Sequence, residues 1–392
     1  MSFHLEPRLA AIAQQQPYPR FSDDEIERRR RALIGAMQKM QVDHLLVCGE
    51  QRAGSGVAWL TGWPATIEAY VIVSPSEKNV MYMEWFNHVP SARRIARHTE
   101  VIWGEHAGMD KVIADLVRRG ARRIGFMGPL AYRKCRKLEA AFDDLVDMNR
   151  EYVELRLIKS AEEVDWMRIG AAFSDASIEA LRQEMRPGLT ERDLWDITER
   201  AYLRHGGSTY IHYFGATKMS DPDCCVPRQF PENRQVQSGD VVFTEISGMF
   251  WDYPGQILRT FTIGSDPTPL YRDLYAAAEA AYDAIAAVLR EGTTMERIVE
   301  VSGVIEKAGF TTCDDLVHGF GGGYFPPVLG SKSRPAGPLP DMTLKAGMTI
   351  VVQPNVITPD QRAGVQVGEL VLITERGFER LHKAPRALFR VG

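Results

Sequence analysis

At 392 residues the chain is longer than one ordinary hydrophobic core sustains, which predicts about two domains. With 45% hydrophobic and 25% charged residues the composition is globular, and a net charge of −4 is too small to call for nucleic acid or an anionic membrane as partner. No run approaches the ~20 apolar residues that span a bilayer. The opening MSFHLEPRLAAIAQQQPYPRF, broken by glutamines and prolines, does not read as a signal peptide. Cys48, Cys135, Cys224, Cys225 and Cys313 are scattered and form no CxxC pair, so reduced thiols in a cytoplasmic protein are expected.

The first predicted helix starts at Ser22, with Glu25 completing a capping box, and carries Ile26, Leu33, Ile34, Met37 and Met40 at helical spacing. A strand follows at His44 to Cys48, and Val57 to Gly62 reads as a further strand and turn. Ala69 to Val73 and Asn79 to Glu84 flank the turn-forming PSEK and predict a hairpin. A helix at Met109 to Arg119 and a strand at Arg123 to Met127 complete an α/β pattern. The character changes near Arg156. Beyond it a helix capped at Ser160 runs to Met185, Pro187-Gly188 stops it, and Thr190 caps the next. Asp240 to Ile263 and Gly347 to Thr374 are strand-like, with a helix over Leu270 to Leu289 between them.

KSAEEVDWMR, PGLTERDLW, SGDVVFTEISGMFWDYPGQILRTF, HGFGGG, AGMTIVVQPNV and GVQVGELVLIT follow one another from about residue 156 to 374. In this order they resemble the creatinase, aminopeptidase P and methionine aminopeptidase superfamily. The resemblance implies an α+β architecture: a creatinase-type α/β N-terminal domain, 1–155, and a pita-bread catalytic domain, 156–392. It also implies a homodimer, in which the partner's N-terminal domain helps close the pocket.

Metallopeptidases of that superfamily hold two metal ions with Asp, Asp, His, Glu and Glu. Counting back from Arg259-Thr260, the resemblance places the two Asp positions on Glu245 and Gln256; it places the His on His318 within HGFG, and the two Glu on Gln353 in QPN and Gly368 in VGEL, with Glu369 adjacent. Two close divalent ions need anionic ligands to offset their repulsion, and neutral amides or a glycine do not supply them. No metal and no cofactor are therefore expected. The metal-free branch with creatinase and ectoine hydrolase is the nearest analogy, although its catalytic histidine position is occupied here by Arg228.

His318 and Glu245 are the expected catalytic pair: histidine titrates near neutrality and suits acid–base work, and a carboxylate beside it would favour its protonated form. Gln256 and Gln353 would hold a polar group of the substrate, Arg228 its carboxylate, and Tyr324 and Glu369 would line the pocket. Arg259 reads as structural, and Cys224 and Cys225 lack a partner histidine for nucleophilic work. The expected function is metal-independent hydrolysis of an amidine- or amide-type C–N bond in a small carboxylated metabolite. The alternatives are an Xaa-Pro peptidase or lyase using one residual metal, and a catalytically silent binding protein.

Overall fold

The computed structural model describes residues 3–50 and 56–392, and the chain divides into two compact units. One is Pro19–Arg156; the other joins Met1–Tyr18 to Leu157–Gly392.

The first unit is a six-stranded mixed sheet in the order Thr99–Trp103, Asn79–Met83, Ala69–Val73, His44–Gly49, Arg123–Met127, Asp144–Asp147. The run His44–Gly49 is apolar from Leu45 to Cys48 because both of its faces are covered. Leu45 and Val47 pack with Leu33 and Met37 of the helix Asp23–Lys39. Leu46 and Cys48 pack with Val112 and Leu116 of the helix Gly108–Arg118 on the other face. Ser22 caps the first of these helices, its side chain accepting from Glu25 N at 3.1 Å. The hairpin forms as expected, Ala69–Val73 pairing antiparallel with Asn79–Met83.

The predicted strand over Val57 to Gly62 is instead a short helix, Gly56–Thr61. A short buried apolar run does not distinguish the two periods. Val57, Trp59 and Leu60 are all buried, Thr61 Oγ1 donates to Val57 O, and the buried Arg29 guanidinium donates to Trp59 O at 2.8 Å. Those local hydrogen bonds decide for the helix.

The second unit is a nine-stranded sheet. Its main path runs Tyr324–Leu329, Val317–Phe320, Thr349–Val352, Gly368–Ile373, Tyr253–Ile263, Asp240–Phe250, Ser208–Lys218, all antiparallel. Two helix layers cover its halves. Ala161–Glu184 begins at a complete Ser160/Glu163 capping box and Glu191–Arg200 at a Thr190/Asp193 box. Ile178, Leu181, Leu194 and Ile197 of these helices pack on Val242, Ile246, Ile257 and Phe261. Pro269–Ala286 and Met295–Val301 pack on Val317, Ile350, Val352 and Val371. The long helix lies directly on the central strand: a Cβ at Gly255 would come within 2.2 Å of the Ala171 backbone. This is the α+β pita-bread architecture, behind a creatinase-type N-terminal domain. Among the described residues no helix is long and apolar enough to cross a membrane.

Candidate active site

The strand Asp240–Phe250 is an interior strand, paired on both sides, so Glu245 does not sit on an exposed edge. Alternation sends Val242 and Ile246 to the core under the Ala161–Glu184 helix, and places Glu245 with Val241, Phe243 and Ser247 on the other face. Leu258 stands opposite Glu245 and Gln256 is its diagonal neighbour. Gln256 Nε2 donates to Glu245 Oε1 at 2.8 Å and to Gln353 Oε1 at 3.0 Å. Burial, and then the nearby Asp314 and Asp315, push the Glu245 carboxyl up to about 8. It is therefore mainly protonated at neutral pH.

His318 sits in Val317–Phe320, paired to Val328 on one side and Val351 on the other. Its Nδ1 lies 3.2 Å from Gly319 O, and the ring also hydrogen-bonds the Gln353 side chain. Burial pushes the ring down to about 4, opposed by the Gly319 carbonyl and the Gln353 side chain. The electrostatic expectation is thus reversed. Glu245 does not hold His318 in its protonated form; the carboxyl is neutral and so is the imidazole. Tyr324 stacks on the His318 ring at 4.2 Å and 17°, and its hydroxyl donates to Asp315.

The structure adds Asp314 and Asn355. Gln353 Nε2 donates to Asp314 Oδ2 at 3.4 Å and Asn355 Nδ2 to the same oxygen at 3.5 Å. A polar chain thus runs Glu245, Gln256, Gln353, Asp314, Asn355. Burial raises Asp314, and burial with the Asp314 charge raises Asp315 to about 6. The sequence signal was available: two adjacent acids in a buried segment just ahead of the histidine.

Two expected pocket residues point elsewhere. Arg228 donates from NH1 to the buried Glu191 at 2.9 Å and its Nε is 2.8 Å from Glu232, so its guanidinium holds the loop to a helix start and does not clamp a substrate. Glu369 lies on the face opposite to Gly368. It accepts from Arg259 at 2.8 Å, from Tyr282 at 3.0 Å and from Arg380. Those partners hold it down at about 2 despite burial. Arg259 is structural as expected, also reaching the carbonyls of Gly368, Ala384 and Pro385. Burial raises the Cys224 and Cys225 thiols, Cys225 to about 11, which leaves neither as a nucleophile.

The family model for metallopeptidase family M24 matches residues 165–375, and that for the creatinase/prolidase N-terminal domain matches residues 29–158. An uncharacterized hydrolase/peptidase of Sinorhizobium fredii is 25% identical over 97% of this chain and 99% of its own. An Xaa-Pro dipeptidase of Pyrococcus furiosus is 25% identical, covering 69% of this chain and 77% of its own. The solved Xaa-Pro dipeptidase from Bacillus anthracis superposes with a TM-score of 0.80 at 21% identity, covering 93% of this chain and all (100%) of its own, a likeness of fold.

A family named for its metal prompts a test of fit, and the residues fail it. Of the five implied positions only Glu245 and His318 offer a side chain of the required kind. Gly368 is closed off: a Cβ there would stand 2.6 Å from Val352 O and 2.8 Å from Gln353 Cα. A glutamate cannot occupy that place unless a strand moves. Among the described residues no three His, Cys, Asp or Glu side chains are grouped to hold a metal ion.

Proposed function

We propose that this chain, which belongs to metallopeptidase family M24, hydrolyses an amide-type C–N bond in a small substrate by acid–base chemistry of its own side chains. What supports this reading is the geometry of the central pair: Glu245 is joined through the Gln256–Gln353 bridge to the site of His318, and burial raises the Glu245 carboxyl while it lowers the His318 ring. Glu245 Oε2 gives its proton to the departing nitrogen, and His318 Nε2 takes one from the attacking water. Each group is in the protonation state that its task requires at neutral pH. The Gln256 and Gln353 amides fix the geometry between them.

The relatives bear on which bond is cut. Their printed names include Xaa-Pro dipeptidase and X-Pro aminopeptidase, which favours a short peptide over a creatine-like amidine as substrate. The test is release of free amino acid from Xaa-Pro dipeptides by the full chain, with creatine and cyclic amidines as a second panel. Turnover that persists in chelator is expected.

A second reading, one residual metal supporting an Xaa-Pro peptidase, is favoured by the same names. With Glu369 bound to Arg259 and Arg380, its ligands would reduce to His318 and Glu245. Turnover abolished by chelator and restored by one equivalent of manganese or cobalt would establish it. Binding of dipeptides without turnover would instead mark a silent binding protein. The homodimer belongs to this proposal too, and light scattering on the purified chain tests it.

A further inference from the structure

The Asp314 and Asp315 carboxyls lie near enough to Glu245 to act on it electrostatically, and among the described residues no lysine or arginine is salt-bridged to any of the three. Arg228 and Arg259, the cations that the sequence puts nearest, are held by Glu191, Glu232 and Glu369. Buried Asp240 and Glu369, by contrast, have the cationic partners Arg234 and Arg259.

Orphaned polar atoms share the site. Asn355 is fully buried and its Nδ2 is directed at Asp314, yet its Oδ1 has no partner. Ser247, also fully buried, stands opposite Gln256 on the Glu245 face with an unpartnered Oγ. A buried acceptor without a donor is costly, and a ligand bearing N–H groups relieves it. One wall of the site is aromatic. Tyr210 packs on Phe320 at 5.5 Å, Phe320 on His318 at 5.3 Å, and His318 on Tyr324 at 4.2 Å. Tyr210 and Tyr324 keep part of their surface open to solvent. Tyrosine faces attract cations, the more so where water is excluded.

We propose that Asp314, Asp315 and the Asn355 carbonyl oxygen form a subsite for the cationic nitrogen head group of the substrate, a primary ammonium or guanidinium that carries N–H donors. The head group places its charge between the two aspartates, donates to Asn355 Oδ1, and lies against the tyrosine wall. This rests on the active-site reading above and narrows it: the substrate is recognised by a positive end, and among the described residues no arginine in the site answers a carboxylate.

Binding, not turnover, tests it, so an inactive protein would sink the hydrolase reading and leave this one standing. Calorimetric titration of the full chain with n-butylguanidinium and n-butylammonium, against butyramide and butyrate, is the experiment. Saturable binding of the two cations is expected, with at least ~10-fold preference over the neutral and anionic analogues. Asp314→Asn and, as a second variant on the more open carboxylate, Asp315→Asn should each weaken cation binding ~10-fold or more, with circular dichroism showing an unchanged fold. Cation binding untouched by either folded variant, a preference for butyrate, or no binding of any probe would overturn the proposal. So would manganese alone binding at the aspartates and displacing the organic cations.

Discussion

Gln256 holds Glu245 by one amide hydrogen at 2.8 Å, which leaves Oε2 as the carboxyl oxygen without that bond. A carboxylate in Gln256's place would repel Glu245 unless a metal stood between them. The amide does the reverse: it donates to Glu245 and, in the same plane, to Gln353 Oε1 at 3.0 Å. The substitutions that remove metal ligands are therefore also those that make a metal-free hydrogen-bond chain self-consistent. Along it the Gln256, Gln353 and Asn355 amides each donate to an acceptor.

The first prediction is about stability and pH. Folded Glu245 titrates near 8 and its ordinary value is 4.5, so between these the folded chain keeps a proton the unfolded chain has lost. Stability must then fall as pH rises through that window, by up to ~1.4 kcal/mol per pH unit. His318 and His212, lowered to about 4 from 6.5, act the other way, but only below about 6.5. Between pH 6.5 and 8 the Glu245 slope should show. Differential scanning calorimetry should find Tm falling across this interval in the wild type and nearly flat in Glu245→Gln. An equal slope in both would mean Glu245 is not protonated.

The same variant is expected to lose activity. Glu245→Gln keeps the bond to Gln256 through its amide oxygen but has no acid proton to give, so kcat should drop about 10²-fold or more. His318→Gln should lose a similar factor, and in the wild type the acid limb of the kcat profile should lie near pH 4 and the basic limb near pH 8. Full activity in a folded His318→Gln protein would move the base elsewhere.

Much of this was legible in the sequence, because ordered motifs and capping patterns carry fold and register. Ser160 and Thr190 announced two helices, and the family resemblance, through the strand pair ending at Arg259-Thr260 and the HGFG and QPN motifs, put Glu245, Gln256, His318 and Gln353 together. Glu369 was misread for a reason specific to strands: neighbouring residues face opposite ways, so the residue beside Gly368 lies across the sheet. Arg228 was misread because its partner Glu191 is distant in sequence and belongs to a helix start. Protonation states were hidden because they depend on burial and on Asp314, which only the folded sheet brings near Glu245. The helix at Gly56–Thr61 depended on Arg29 reaching the Trp59 carbonyl from another element.

Glu369 should prove a stability residue and not a catalytic one. Replacing it by Gln leaves Arg259, itself almost fully buried, without its counter-charge. Breaking a buried pair of this kind costs about 3–5 kcal/mol, readable by urea denaturation. Held near 2 instead of 4.5, the carboxylate contributes stability above pH 4.5 that is lost as pH falls toward 2. The variant should lose that acid-side dependence. A Glu369→Gln protein of unchanged stability but altered KM would return the residue to the pocket.

The last prediction concerns Gly368 and whether a metal centre can be restored. Gln256→Asp and Gln353→Glu return carboxylates to positions where side chains already stand, so that double variant should fold. Gly368 is different, because even a methyl group there meets Val352 O at 2.6 Å and the Gln353 backbone at 2.8 Å. Gly368→Ala alone should therefore destabilise by about 1–3 kcal/mol, the usual cost of forcing atoms into a packed place. Adding Gly368→Glu to the double variant should cost more, and should not raise cobalt or manganese affinity beyond that of the double variant. Denaturation curves for Gly368→Ala and metal titrations of the double and triple variants decide the point separately. If Gly368→Ala is neutral, the strands at Val352 and Gly368 give way easily, and the closure found here is no barrier. If in addition the triple variant binds two metal ions tightly, only the missing carboxylates separate this site from a dinuclear one, and the residual-metal reading regains its force.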